Sequence, residues 1–127
     1  MDLASARAPD GLFDELTQLL TALLGVDVAI VAQLDTEEPG TLQVHSMYVD
    51  GHHVESGRYP VHTGPCGQVL ERGVIAVADG LLDLYPADAE AHALGAQSYA
   101  GASILDRGGR PVGTVGNSSV RKDASRP

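Results

Sequence analysis

The chain has 127 residues, enough for one domain with an apolar core, and 43% hydrophobic against 20% charged residues excludes a disordered chain. Seventeen acidic against eight basic side chains give a formal charge of -9, which repels phosphate and argues against nucleic acid and anionic membrane partners. One cysteine makes no intramolecular disulfide, no basic-then-apolar leader opens the chain, and Gly25 and Asp27 interrupt the longest apolar stretch, so a cytoplasmic protein is expected.

DGLFDELTQLLTALLG reads as the first helix. Leu12, Phe13, Leu16, Leu19, Leu20, Leu23 and Leu24 recur at helical spacing within an arc of roughly 140°. Asp10 is placed to cap its start, and Gly25 to end it in a left-handed conformation. The leucine stripe either covers a sheet or pairs with another helix. VDVAIVAQLD then changes period: Val28 to Ala32 is a continuous apolar run, as in a central strand covered on both faces. TEEPG is a turn, and TLQVHSMYV alternates as a half-exposed partner in an antiparallel hairpin.

DGHH predicts a further turn and VESGRYPV a third strand. Thr63 or Gly64 can then cap a short helix that has Pro65 at its first position and ends at Gly73. VIAVAD is a compact strand, and GLLDLYPADAEAHALG two short helices around Pro86. SYAGASILD and RPVGTVGNS flank the turn RGG as a second antiparallel hairpin. Residues 1–118 form one domain on this reading, with 119–127 a disordered tail. The order of elements predicts an α+β sandwich in which residues 62–97 cross one face of an antiparallel sheet, leaving room for a small-molecule cavity beneath.

GPCGQVLERG, the DLYP segment and SYAGASILDRGGRPVGTV, taken in that order, resemble a GAF domain from about Phe13 to Asn117. The resemblance implies a central antiparallel sheet of about six strands with helices on both faces. It also implies a ligand pocket under the 62–97 cover, and a sensory role in signal transduction rather than catalysis. GAF domains usually close with a long helix beside the first one. RKDASRP does not read as that helix, and a leucine stripe left uncovered would favour a homodimer through the N-terminal helix. A signalling output protein is a second expected partner.

Cys66 stands at a helix start, where the N-terminal partial charge favours a thiolate; the plainer alternative is a small apolar residue packed between helix and sheet. Free methionine-(R)-sulfoxide reductases share the fold and carry a G-x-C-G motif similar to Gly64-Pro65-Cys66-Gly67. Their cycle needs a second thiol, which this chain lacks. Bilin-binding relatives place a cysteine before the histidine that corresponds to His92; here Ala91 stands there. The N-K-x-F-x-x-x-D-E signature of cyclic-nucleotide binding is absent. His52 and His53 are adjacent, and no histidine or cysteine pair has zinc-site spacing, so no metal is assigned. Tyrosine combines an apolar body with a hydroxyl, which suits a pocket wall. The ligand-contact candidates are therefore Tyr48, His62, Cys66, Tyr85, His92 and Tyr99, for an unidentified small molecule and with the cofactor unknown. A GAF fold that binds nothing and serves only as an interaction module is the alternative; a thiol-dependent enzyme working through Cys66 is the remote one.

Overall fold

The computed structural model describes residues 11–55 and 57–120. Helix α1 (Leu12–Leu24) leads into β1 (Val28–Leu34) and β2 (Thr41–Val49). Two short strands follow, β3 (His52–His53) and β4 (Arg58–Pro60), then a 3-10 turn over Val61–Thr63. Helix α2 (Cys66–Arg72), β5 (Val74–Val77), α3 (Leu81–Leu84) and α4 (Ala89–Leu94) make the excursion. Strands β6 (Tyr99–Leu105) and β7 (Pro111–Ser118) close it. Every pairing is antiparallel, in the order β3-β2-β1-β7-β6-β5, with β4 also on β2. The sheet therefore has seven strands, where about six are expected. Of the predicted third strand VESGRYPV, Arg58–Pro60 pairs with β2, while the histidines of DGHH, predicted as part of a turn, are themselves a short strand paired with Tyr48 and Val49. A tight Asp50-Gly51 turn with positive φ at both residues makes the histidine pairing.

The apolar run of β1 is explained by its place between β2 and β7, with helices above and below. Val28 and Ile30 face the excursion together with Met47 of β2. On the other face Ser46 meets α1, where its hydroxyl lies 2.9 Å from that of Thr17 and donates to Asp14 Oδ1 at 2.6 Å. A bulge between Val31 and Ala32 resets the register with β2.

Helix α1 ends as predicted, with Gly25 at φ 64°. Asp10 lies outside the described residues, and Gly11 in a left-handed conformation precedes the helix. Only the Phe13 and Leu20 edge of the apolar stripe covers the sheet. The helix rests on Phe13, Thr17, Leu20 and Thr21, while Leu12, Leu16, Leu19 and Leu23 point to solvent, Leu23 at 72% exposure. Those four leucines sit about 115° around the axis from the docking residues.

Ser119 and Val120, assigned to the tail by the sequence, are held. Val120 bridges Ala96 and donates its N–H to Asp27 Oδ2 at 2.7 Å, and Ser119 donates to Ser98 Oγ. The rest of that tail, and any closing helix after β7, lie outside the described residues.

Candidate functional site

Between the sheet and the excursion lies a chamber of about 60 Å³. Val28, Ile30, Met47 and Ser118 form its sheet side, and Leu81, Ala91, Leu94 and Ala96 its cover. Tyr59, Pro65, Cys66, Asp88, Glu90 and Tyr99 complete the wall.

The cover is held in place by backbone and caps. Asp88 Oδ1 accepts the Ala91 N–H at 3.0 Å, which starts α4, and Gly95 at φ 70° ends it. Leu81, only 2% exposed, anchors α3 to the core, and its N–H donates to Gln97 O. Gly64 leaves room for the Asp88 carboxylate: a Cβ there would push Oδ2 aside. Helix α2 starts one residue later than predicted: Pro65 is its N-cap, with its carbonyl accepting the Val69 N–H, and Cys66 takes the first helical position.

Three polar groups meet at the floor. The Cys66 sulfur lies 3.2 Å from the Tyr59 hydroxyl and 3.8 Å from that of Tyr99. Burial pushes the Cys66 thiol up, more than its hydrogen bonds to Tyr59 and Tyr99 bring it down. The thiol is thus protonated at neutral pH, which favours the reading of Cys66 as a small residue packed between helix and sheet over that of a thiolate at the helix start. Burial first, then the nearby thiol, raises both Tyr59 and Tyr99, so each keeps its hydroxyl proton. Tyr99 lies flat across two glycines of the sheet. A Cβ on Gly101 or Gly116 would overlap its ring, which explains the small residues of YAGAS and VGTVGN.

Of the six candidates, the structure brings two into the chamber wall, Cys66 and Tyr99. Tyr85 packs near the core cluster, but its hydroxyl donates to Gln68 Oε1 at 2.6 Å instead of facing the chamber. His62 is exposed on the 3-10 turn, and His92 is exposed on the outer side of α4, next to the inward Ala91 and two residues before Leu94. Tyr48 is on the α1 face of β2, edge-on to His53 with centroids 4.7 Å apart. Alternation decides that case, since Met47 next to it takes the chamber side. Tyr59, Asp88 and Glu90 were missed. A signal existed for Glu90, which is four residues before Leu94 and so shares its helix face. No group of three or more metal-ligating side chains is found among the described residues.

The family model for the GAF domain matches residues 8–125. Comparison with curated protein sequences gives no match. Among solved structures, the free methionine-R-sulfoxide reductase of Neisseria meningitidis, in complex with its substrate, is similar at 21% identity with a TM-score of 0.66. The match covers 87% of this chain and 64% of the reductase, so the chain spans less than two thirds of that protein. The phycocyanobilin-bound GAF domain of a cyanobacterial phytochrome gives 17% identity and TM-score 0.61, over 89% of this chain and 72% of that one. The GAF domain of the Acinetobacter phosphoenolpyruvate-protein phosphotransferase gives 15% and 0.64, over 97% and 73%. At these identities the likeness speaks for the fold. The chain belongs to the GAF domain family, whose members typically act as sensory or regulatory small-molecule-binding domains rather than as enzymes.

Proposed function

We propose that this domain is a sensory module whose chamber takes a small molecule and whose α1 helix passes the occupancy on. The observation that carries the reading is the chamber itself, walled mainly by apolar side chains and floored by Tyr59, Cys66 and Tyr99. Its route to α1 is short. Met47 lines the chamber, and the next residue back, Ser46, is bonded to Thr17 and Asp14 of α1. A ligand that shifts β2 therefore changes the seat of the helix. Native mass spectrometry of freshly purified protein, compared with the same sample denatured, tests the binding role. A mass excess lost on denaturation supports it. With a ligand identified, unchanged amide exchange in both the cover and α1 would sink the signalling role.

The exposed leucines favour a homodimer as the output. Leu12, Leu16, Leu19 and Leu23 are spaced four, three and four residues apart, the seam of a two-stranded coiled coil. Light scattering on Leu16→Glu and Leu19→Glu variants checks this. A dimer in the parent that becomes a folded monomer in both variants is the expected result, and a parent that is monomeric at every accessible concentration rules it out.

A further inference from the structure

Resting on the reading of the chamber as a binding site, the chemistry of its wall narrows the ligand to one class. Most of the wall is hydrocarbon: Val28, Ile30 and Met47 on the sheet, Leu81, Ala91 and Leu94 on the cover. An ionised ligand would leave water for those side chains at a high cost. The polar end is different in kind, because it is built from groups that carry hydrogens. Tyr59, Cys66 and Tyr99 all line the chamber, and all three keep their protons at neutral pH.

Hydrogens outnumber acceptors at this end. The Tyr59 and Tyr99 hydroxyls both bond to the Cys66 sulfur, at 3.2 Å and 3.8 Å. Thr114 of β7, wholly buried, turns its hydroxyl to the same sulfur and has no nitrogen or oxygen partner among the described residues. Four groups thus bring four hydrogens to three contacts centred on one sulfur. Sulfur is a weak acceptor, and its own hydrogen serves only one of the three hydroxyls. One hydrogen of the set therefore has no acceptor inside it, and the others share a soft atom. A ligand atom with a lone pair would serve these groups better than sulfur does. An ammonium brings only donors and cannot, while a carboxylate meets Asp88 and Glu90 in the same wall.

We propose that the chamber selects a small neutral molecule with an apolar body and one hydrogen-bond acceptor, such as a ketone or an ether. The acceptor takes the hydroxyl hydrogen of Tyr59 or Tyr99 beside Cys66, and the body packs against Ile30, Met47, Leu81 and Leu94. A chamber of about 60 Å³ limits the molecule to roughly four to six non-hydrogen atoms, given 10–15 Å³ per water-sized atom.

Four probes of nearly one size separate the possibilities: cyclobutanone, methylidenecyclobutane, cyclobutylammonium and cyclopropanecarboxylate. Each is titrated into the protein while the amide signals of Leu81, Ala91 and Ala96 are followed by NMR. The ketone and its hydrocarbon isostere should bind, the ketone at least as tightly although its carbonyl gives up water, and neither ion should move the signals. The infrared carbonyl stretch of the bound ketone should lie below its value in a hydrocarbon solvent, which reads the donated hydrogen bond without any substitution. The double variant Tyr59→Phe, Tyr99→Phe should raise that stretch, weaken the ketone about fivefold and leave the isostere unchanged, as the loss of one net hydrogen bond requires. If either ion binds as tightly as the ketone, if the isostere binds more tightly, or if the bound ketone's stretch is unshifted, the chamber remains a binding site and the class assignment is overturned. If no probe moves those signals at millimolar concentration, the assignment is overturned as well, while the native mass measurement still judges the binding role independently.

Discussion

Ser46 and Met47 are neighbours on β2, and they look out on opposite sides of the sheet into two different kinds of packing. Met47 faces the chamber, among Val28, Ile30, Leu81 and Tyr99, where contact is apolar and without fixed direction. Ser46 faces α1 through short hydrogen bonds to Thr17 and Asp14, with Phe13 stacked on His45 at 5.1 Å beside them. The cover side can reshape around an occupant, because dispersion contacts tolerate small shifts. The α1 side cannot slide without breaking directional bonds, and its leucines stay outward. Adaptable packing on one face and pinned packing on the other is what a small movement needs if it is to be received on one side and displayed on the other.

The largest break in that comparison is on the cover side. Leu81→Ala removes a side chain that is 2% exposed and should cost about 3 kcal/mol, read from the urea midpoint at constant slope. A loss under 1 kcal/mol would mean that the cover is not part of the cooperative core. Gly116→Ala comes next. Its methyl would lie 2.6 Å from the Tyr99 hydroxyl oxygen and 2.8 to 2.9 Å from ring carbons, so the ring must move. Overpacking of this kind costs about 2 kcal/mol. The thiol should also become more reactive toward iodoacetamide, because Tyr99 would no longer sit against it.

The α1 side should respond less. Thr17 is wholly buried, and Thr17→Val keeps its shape while deleting the bonds from Oγ1 to Ser46 and to the Asp14 carbonyl. Ser46 keeps its bond to Asp14, so nothing is left wholly unpartnered, and the cost should be about 1 kcal/mol. A cycle with Ser46→Ala isolates the pair. If its coupling is zero, the α1 face is held by Phe13 and Leu20 instead, and the contrast between the faces weakens.

Sequence resolved the elements whose periodicity is strong and whose ends carry their own chemistry. Gly25 stops α1, Pro86 separates α3 from α4, and the RGG turn is fixed by Asp106, whose Oδ1 accepts the Gly108 and Arg110 N–H groups. It failed where a distant partner decides. Strands β3 and β4 are each too short to show alternation and exist because β2 offers both a free edge. The apolar stripe of α1 marks the face that wants a partner, but the helix seats itself through Thr17, whose mate Ser46 is 29 residues away. For the site, Cys66 was found from its glycine-proline setting and Tyr99 from its place at the head of a strand. His62, Tyr85 and His92 fall within the 62–97 cover and Tyr48 in a strand of the sheet, but which way each side chain points is settled by sheet alternation and helix phase.

The smallest expected effect is a pH dependence, and it has opposite signs at two carboxylates. Glu90 on the cover has its carboxyl raised, by burial first and by Asp88 second. A raised carboxyl is bound to its proton more tightly in the folded state. Its favourable contribution is therefore complete below the ordinary glutamate range and is lost as pH climbs through the raised value. Asp106 in the turn is lowered, by the Arg110 N–H first and with help from that of Gly108. Its contribution is present above the ordinary aspartate range and is lost as pH falls through the depressed value. Glu90→Gln should thus gain stability relative to the parent near neutrality, with the gain fading in mild acid. Asp106→Asn should lose stability near neutrality, and its deficit should fade in stronger acid. Urea midpoints across that range measure both. If the two variants diverge from the parent in the same direction, burial does not raise the Glu90 carboxyl, and the cover's acidic side chains are as well solvated as those of the turn.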